Sequence, residues 1–119
     1  MLILEGHTPA EQPLMLTEFG GIALRVTPGT WGYSTCRTPE EFARAYAQLL
    51  EVIRNLSLLA GFCYTQFADT YQEANGLLLA DRTPKIPIRQ IAAATGGRAA
   101  PREGGLEQLQ AATESGEGR

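Results

Sequence analysis

The stretch PLMLTEFGGIAL, residues 13–24, decides the fold predicted for this chain. Residues 14–16 form a short apolar run, which is typical of a buried strand, and a carboxylate, Glu18, follows two positions later. Pro13 fixes its own φ and favours an extended residue before it, so the strand has a defined start. The sequence therefore predicts a strand over residues 14–18 that carries an acid at its carboxyl end.

A capped helix and a second strand follow this segment. Thr38 precedes Pro39 and two glutamates, which is the signature of a helix N-terminus, and the helix is predicted to end near residue 55. Its apolar residues recur at helical spacing in one stripe: Phe42, Tyr46, Leu49, Leu50, Ile53 and Leu56. The apolar run over residues 58–67 predicts a second strand, buried on both faces. Strand, helix and strand in this order predict a βαβ unit with parallel strands and a right-handed crossover.

The connecting segments and the end of the chain differ in character. Residues 19–37 contain four glycines, one tryptophan and one tyrosine, and they predict a long loop of the kind that often carries function. Residues 69–82 predict a polar loop, and residues 88–95 predict a short helix. The domain is expected to cover residues 1–97. The tail, 98–119, is predicted to be disordered because it buries too little apolar surface to offset its chain entropy.

Composition narrows the classes of function. The chain has 119 residues with a net charge of -3 and no cluster of Lys and Arg, which argues against a nucleic-acid partner. No apolar run reaches the roughly 18 residues of a membrane span, and the N-terminus lacks the basic region of a signal peptide. Cys36 and Cys63 have no metal-ligand spacing, and no motif requires a metal or another cofactor. Reduced thiols in a cytoplasmic protein are expected.

Polar side chains follow both predicted strands. Glu18 ends the first strand, and Thr65, Gln66 and Asp69 end or follow the second. In parallel α/β folds, the carboxyl ends of the strands and the loops after them carry the active site. A glutamate at a strand end is also commonly just a solvated charge, and both interpretations stay open at this point.

Several blocks of sequence resemble a known family in their order and spacing. The blocks are LTEFGG, WGYST, the capped helix, AGFCYTQFAD and NGLLLADRTPK. Together they look like the C-terminal end of the catalytic barrel of glycoside hydrolase family 2, the β-galactosidase and β-glucuronidase group. The resemblance covers about residues 12–97. It implies an α/β fold in which the chain supplies the last two βα units of a (β/α)8 TIM barrel, with residues 14–18 as strand seven and 60–67 as strand eight.

The resemblance also implies a chemistry, the hydrolysis of β-glycosides by a retaining glycosidase. Glu18 matches the catalytic nucleophile, and the glycines after Phe19 are expected to leave room for the sugar. Trp31 is either a sugar-stacking platform or a packed loop anchor. The residues expected to contact substrate near the second strand are Tyr64, Thr65, Gln66 and Asp69. Several family members have a Trp–Asn pair where this chain has Thr65 and Gln66, which leaves the sugar open, and Asp69 is alternatively a cap of the following loop.

One group that the family requires is missing. The acid/base Glu of the family follows an Asn at the end of strand four, and no Asn-Glu pair occurs in these 119 residues. A complete barrel takes about 250 residues. We expect the chain to be a C-terminal fragment that is inactive alone and that needs the N-terminal part of the same enzyme. The alternative is a small, non-catalytic α/β module that binds carbohydrate or another partner.

Overall fold

The computed structural model describes residues 5–8, 12–25 and 27–96. It is a small α/β structure with parallel β-α-β units. The elements within those ranges, in chain order, are β1 (Leu14–Gly20), β2 (Ile22–Leu24), β3 (Ser34–Cys36), α1 (Pro39–Arg54), β4 (Leu59–Thr65) and α2 (Ile88–Gly96). The predicted tail, 98–119, lies outside the described residues.

The predicted strand–helix–strand unit is confirmed. β1 and β4 pair in parallel, from Leu14 opposite Leu59 to Gly20 opposite Thr65, and α1 connects them along the chain. β1 runs two residues further than predicted, because Phe19 and Gly20 continue the pairing with β4. The carboxyl ends of the two strands therefore lie side by side, as parallel pairing requires.

The prediction of an irregular loop over residues 19–37 is wrong in part. β2 and β3 lie inside this segment and pair with each other in parallel. The pairing is extended at its ends by the backbone N–H of Ser34, which donates to the carbonyl of Gly21 at 3.1 Å, and by that of Arg25, which donates to Cys36 at 3.0 Å. In the part of the chain that the structure describes, the four strands form two separate two-stranded sheets and do not close a barrel.

Helix α1 begins as predicted. The hydroxyl of Thr38 accepts a hydrogen bond from the backbone N–H of Glu41 at 3.2 Å, and the Glu41 carboxylate accepts from the N–H of Arg37 at 2.7 Å. The side chains that the helix buries are Phe42, Tyr46, Leu50 and Ile53. Leu56, predicted for the same stripe, lies beyond the end of the helix and is exposed.

The hydrophobic core lies between α1, β2, β3 and the segment after β4. Its buried members are Ile22, Cys36, Phe42, Tyr46, Leu50, Leu77 and Ile86. Tyr64 packs against this core, with its ring edge-to-face with Phe19 at 5.7 Å and with Tyr46 at 5.0 Å. Its hydroxyl accepts a hydrogen bond from the N–H of Ile22 at 3.3 Å. Burial in this setting raises the pKa of Tyr64 to about 12.

The raised pKa of Tyr64 predicts a loss of stability in alkali. An unfolded tyrosine ionises near pH 10. Between about pH 10 and the folded pKa of about 12, the unfolded chain releases a proton that the folded chain keeps, so the free energy of unfolding falls as pH rises. We expect a loss of about 3 kcal/mol across this window, measured by urea unfolding at successive pH values. Burial raises the pKa of Tyr46 as well, so Tyr64→Phe should remove much of the fall but not all of it. An unchanged slope in Tyr64→Phe would contradict this assignment.

The thiols and the helix lengths complete the description of the fold. Cys36 is buried and Cys63 is exposed, and neither forms a disulfide with another described residue. Among the described residues, no helix has both the length and the apolar character needed to cross a membrane.

Candidate active site

Glu18 lies at an irregularity in β1. The register between β1 and β4 shifts between Leu16 and Phe19, so that Thr17 and Glu18 together face one residue of the partner strand. Such β-bulges re-aim side chains and occur often beside active sites. The Glu18 side chain is exposed, and within the described residues no hydrogen bond or ion pair engages its carboxylate. The acid is therefore available to a ligand.

The two faces of the β1–β4 pair differ. Phe19 packs its ring against Phe62 at 5.7 Å, on the face that meets the core under α1. Because neighbouring residues of a strand point to opposite faces, Cys63, next to Phe62, belongs to the other face, and Glu18 lies opposite Cys63 in the bulge. Met15, which like Cys63 is exposed, lies on that face too. Glu18 thus occupies the sheet face that α1 leaves uncovered.

Thr65 and Gln66 lie beside the end of β1, as the sequence predicted. Thr65 is the last residue of β4 and pairs with Gly20, and the peptide bond between Thr65 and Gln66 is cis. The backbone of Gln66 is held on both sides, since its N–H donates to Asn75 at 3.5 Å and its carbonyl accepts from Leu77 at 3.0 Å. Its side-chain Nε2 is buried and has no hydrogen-bond partner within the described residues. A contact of Thr65 or Gln66 with a sugar stays a prediction.

Gly20 and Gly21 serve a different purpose from the one predicted. Both have positive φ, +103° and +88°, and a side chain on either would overlap an aromatic ring: Tyr64 at Gly20 and Tyr33 at Gly21. The space expected to admit a sugar beside these glycines is therefore filled by two tyrosines. Tyr64, whose hydroxyl is already bound to the backbone, has a packing role here.

Asp69 lies at the centre of a buried polar cluster. Its Oδ1 accepts from the N–H of Gly76 at 2.8 Å and from Nζ of Lys85 at 2.7 Å. Lys85 also donates to the carbonyl of Ala74 at 2.8 Å and lies over the ring of Phe42 at 5.8 Å. The side chains of Lys85 and Asp69 are only 1% and 14% exposed. These contacts favour the structural alternative for Asp69, which ties the loop after β4 to the core.

Asn75, the first residue of the NGLLLADRTPK block, has a structural role that an ordinary surface turn would not give it. It is fully buried, its Oδ1 accepts from the N–H of Tyr33 at 3.3 Å, and its Nδ2 donates to Glu73 at 3.0 Å. It therefore joins the loop before β3 to the loop after β4. The sequence feature that indicates burial here is the run of three leucines after Asn75-Gly76, because an apolar run inside a polar loop is typical of a buried segment.

Trp31 has an anchored backbone and an exposed side chain, and its sugar-stacking role stays a prediction. Its backbone is anchored, since its N–H donates to Gln72 and its carbonyl accepts from Ala74, each at 2.8 Å. The residue is 44% exposed, and its ring meets the ring of Tyr33 edge-to-face, with centroids 5.4 Å apart. The loop anchor is thus the backbone of Trp31, while the ring stays accessible to a ligand.

Comparison with known proteins adds no assignment. No protein-family model and no curated protein matches this chain. Within the described residues, no cluster of three or more His, Cys, Asp or Glu side chains is arranged to hold a metal ion. A function is therefore inferred from the residues and their geometry.

Proposed function

We propose that this chain forms the nucleophile-bearing end of a retaining β-glycosidase, of the β-galactosidase and β-glucuronidase type, with Glu18 as the nucleophile. The observation that carries the proposal is the position of Glu18. An exposed carboxylate with no partner among the described residues lies in a bulge near the carboxyl end of a parallel strand, beside the end of a second parallel strand. This is the edge at which parallel α/β enzymes place their catalytic groups.

In this proposal β1 and β4 are strands seven and eight of a (β/α)8 barrel. Two features support the assignment: the two strands are parallel neighbours joined through α1, and only one face of the pair packs on the core. A barrel strand needs one face toward the helices and one toward the barrel interior. Glu18 and the exposed Met15 would belong to the interior face, which the other strands of the barrel complete.

The chemistry follows from a pair of carboxyl groups. Glu18 attacks the anomeric carbon of the sugar while the glycosidic C–O bond breaks, and the second carboxyl group gives its proton to the departing oxygen. The resulting glycosyl ester on Glu18 is then hydrolysed by water that the same second group deprotonates. Retaining enzymes hold the two groups about 5–5.5 Å apart. We propose that the N-terminal part of the same enzyme supplies the second group, and that Trp31, Thr65 and Gln66 contact the sugar.

The first test is to identify the proposed N-terminal part of the enzyme and to combine it with this chain. The DNA upstream of the Met1 codon is sequenced, and the segment it encodes is produced together with the 119-residue chain. We expect this segment to contain an Asn-Glu pair at the end of a predicted strand. We expect the two parts together to hydrolyse p-nitrophenyl β-D-galactopyranoside or the corresponding glucuronide, and neither part to do so alone. An upstream region without such a segment, or no hydrolysis by the combined parts, would contradict the proposal.

A second candidate function is favoured by one observation. Trp31 and Tyr33 present exposed aromatic rings, which are the usual binding surface for carbohydrates in modules that perform no catalysis. In that case the chain binds a saccharide, and Glu18 has no chemical role. Binding that persists without hydrolysis in the combined preparation would favour this second function.

A further inference from the structure

Two exposed aromatic rings form a corner in the loop between β2 and β3. Trp31 is 44% exposed and Tyr33 72% exposed, and their ring planes meet at 86°. A sugar ring has an apolar face of C–H groups and a polar rim of hydroxyls. An aromatic corner fits both, since its faces take the C–H groups while the indole N–H and the phenol O–H remain available to the hydroxyls.

The corner is held rigidly by the protein. The backbone of Trp31 is bonded on both sides to the loop after β4, and the N–H of Tyr33 is bonded to the buried Asn75. Between them, Gly32 lies so close to Ala23 and Asn75 that any side chain there would overlap both. Little freedom is left for a ligand to remove from the loop, so binding to these rings costs little ordering entropy.

The corner lies close to Glu18 but not on it. The ring of Tyr33 packs directly on Gly21. Gly21 is three positions after Glu18 in the chain, and three residues of extended chain span at most about 10 Å. A saccharide whose reacting ring lies at Glu18 is therefore long enough to reach the corner with its next ring.

We propose that Trp31 and Tyr33 form a subsite for a second sugar ring, so that the substrate is an oligosaccharide or the end of a polysaccharide. This inference rests on the proposed glycosidase function for its account of the reacting ring. Tyr33 is the new specificity-determining residue, because its ring both covers Gly21 and forms one side of the corner. A substrate with only an alkyl or a small aryl leaving group would leave the subsite empty.

The chain carries its own probe for this subsite, because Trp31 is its only tryptophan. The folded 119-residue chain, with α1 verified by far-UV circular dichroism, is titrated with β-1,4-galactotetraose and, in parallel, with methyl β-D-galactopyranoside. We expect the tetraose to change the fluorescence of Trp31 in a saturable manner and the methyl galactoside to bind at least about tenfold more weakly. No saturable change with the tetraose, or equal affinity for the two sugars, would overturn the inference.

A matched pair of variants tests whether binding depends on the corner or only on the presence of an exposed aromatic ring. Tyr33→Leu removes a flat ring from the corner, and we expect it to weaken tetraose binding about fivefold or more. Tyr71→Leu makes the same change at a tyrosine that is 90% exposed and makes no ring contact with Trp31 or Tyr33 among the described residues, and binding should be unchanged. Equal loss in both variants, or none in Tyr33→Leu, would overturn the inference.

Failure of the subsite and failure of the glycosidase proposal give different results. Hydrolysis by the combined enzyme without tetraose binding at Trp31 would refute the subsite and leave Glu18 as the nucleophile. Tetraose binding without any hydrolysis would refute the nucleophile and leave a carbohydrate-binding surface.

Discussion

Glu18→Gln is expected to lower the rate of glycoside hydrolysis by the combined enzyme about a thousandfold or more, which corresponds to about 4 kcal/mol of activation free energy. The amide has nearly the shape of the carboxylate, but it carries no charge and is a poor nucleophile toward the anomeric carbon. Initial rates with a p-nitrophenyl β-glycoside measure the loss. Glu51→Gln makes the same change at an exposed position on α1, and it should leave the rate unchanged.

A second variant at the same position tests whether activity is lost because the nucleophile is gone or because the protein fails to fold. Glu18→Gly removes the side chain and leaves room for a small anion at the sugar. Azide should then attack the anomeric carbon in place of the carboxylate, release nitrophenol and give a glycosyl azide of inverted configuration. A variant that merely fails to fold is not rescued by azide. If Glu18→Gln keeps a tenth or more of the original rate, Glu18 is not the nucleophile.

Asp69→Ala is expected to lower the free energy of unfolding by about 3 kcal/mol. The change leaves the ammonium group of Lys85 buried without its countercharge and removes the acceptor for the N–H of Gly76. Urea unfolding of the chain measures the change. Asp81→Ala is the control, because Asp81 is exposed and accepts one backbone hydrogen bond from Thr83 at 2.8 Å. That control should cost less than about 1 kcal/mol.

The same pair offers a check on the cause of the effect. Lys85→Met removes the cation and leaves Asp69 partly buried, so it is destabilising alone. The double variant Asp69→Ala/Lys85→Met leaves neither charge unpaired, and its cost should be smaller than the sum of the single costs. Equal costs for Asp69→Ala and Asp81→Ala would show that the buried pair does not hold the loop after β4.

The elements that the sequence predicted are those with strong local signals. α1 has a cap at Thr38 and a stripe of large apolar side chains, both of which are visible within a few residues of one another. β1 and β4 are apolar runs separated by a helix, and the parallel pairing follows because a helical crossover brings the second strand back in the same direction. The position of Glu18 near the carboxyl end of β1 was predicted from those same signals.

The elements that the sequence missed depend on distant contacts. β2 and β3 are three residues each, too short for a pattern, and the loop before β3 is held by Asn75, 42 residues beyond Tyr33. The pair of Asp69 and Lys85 spans 16 residues, and a lysine in a polar loop is normally taken to be solvated. The surroundings of Gly20 and Gly21 were also not predictable from local sequence, since the rings that fill the space beside them come from the distant residues Tyr64 and Tyr33.

The central claim is that Glu18 forms a covalent bond to the sugar, and one measurement tests it directly. The combined enzyme is treated with a 2-deoxy-2-fluoro-β-glycosyl fluoride, which forms the glycosyl ester quickly and loses it slowly. The protein is then digested and its peptides are analysed by mass spectrometry. We predict the added mass of one fluorosugar on the peptide that contains Glu18, and none there in Glu18→Gln. Fluorosugar on any other carboxylate, such as Glu73 beside Trp31, would contradict the account.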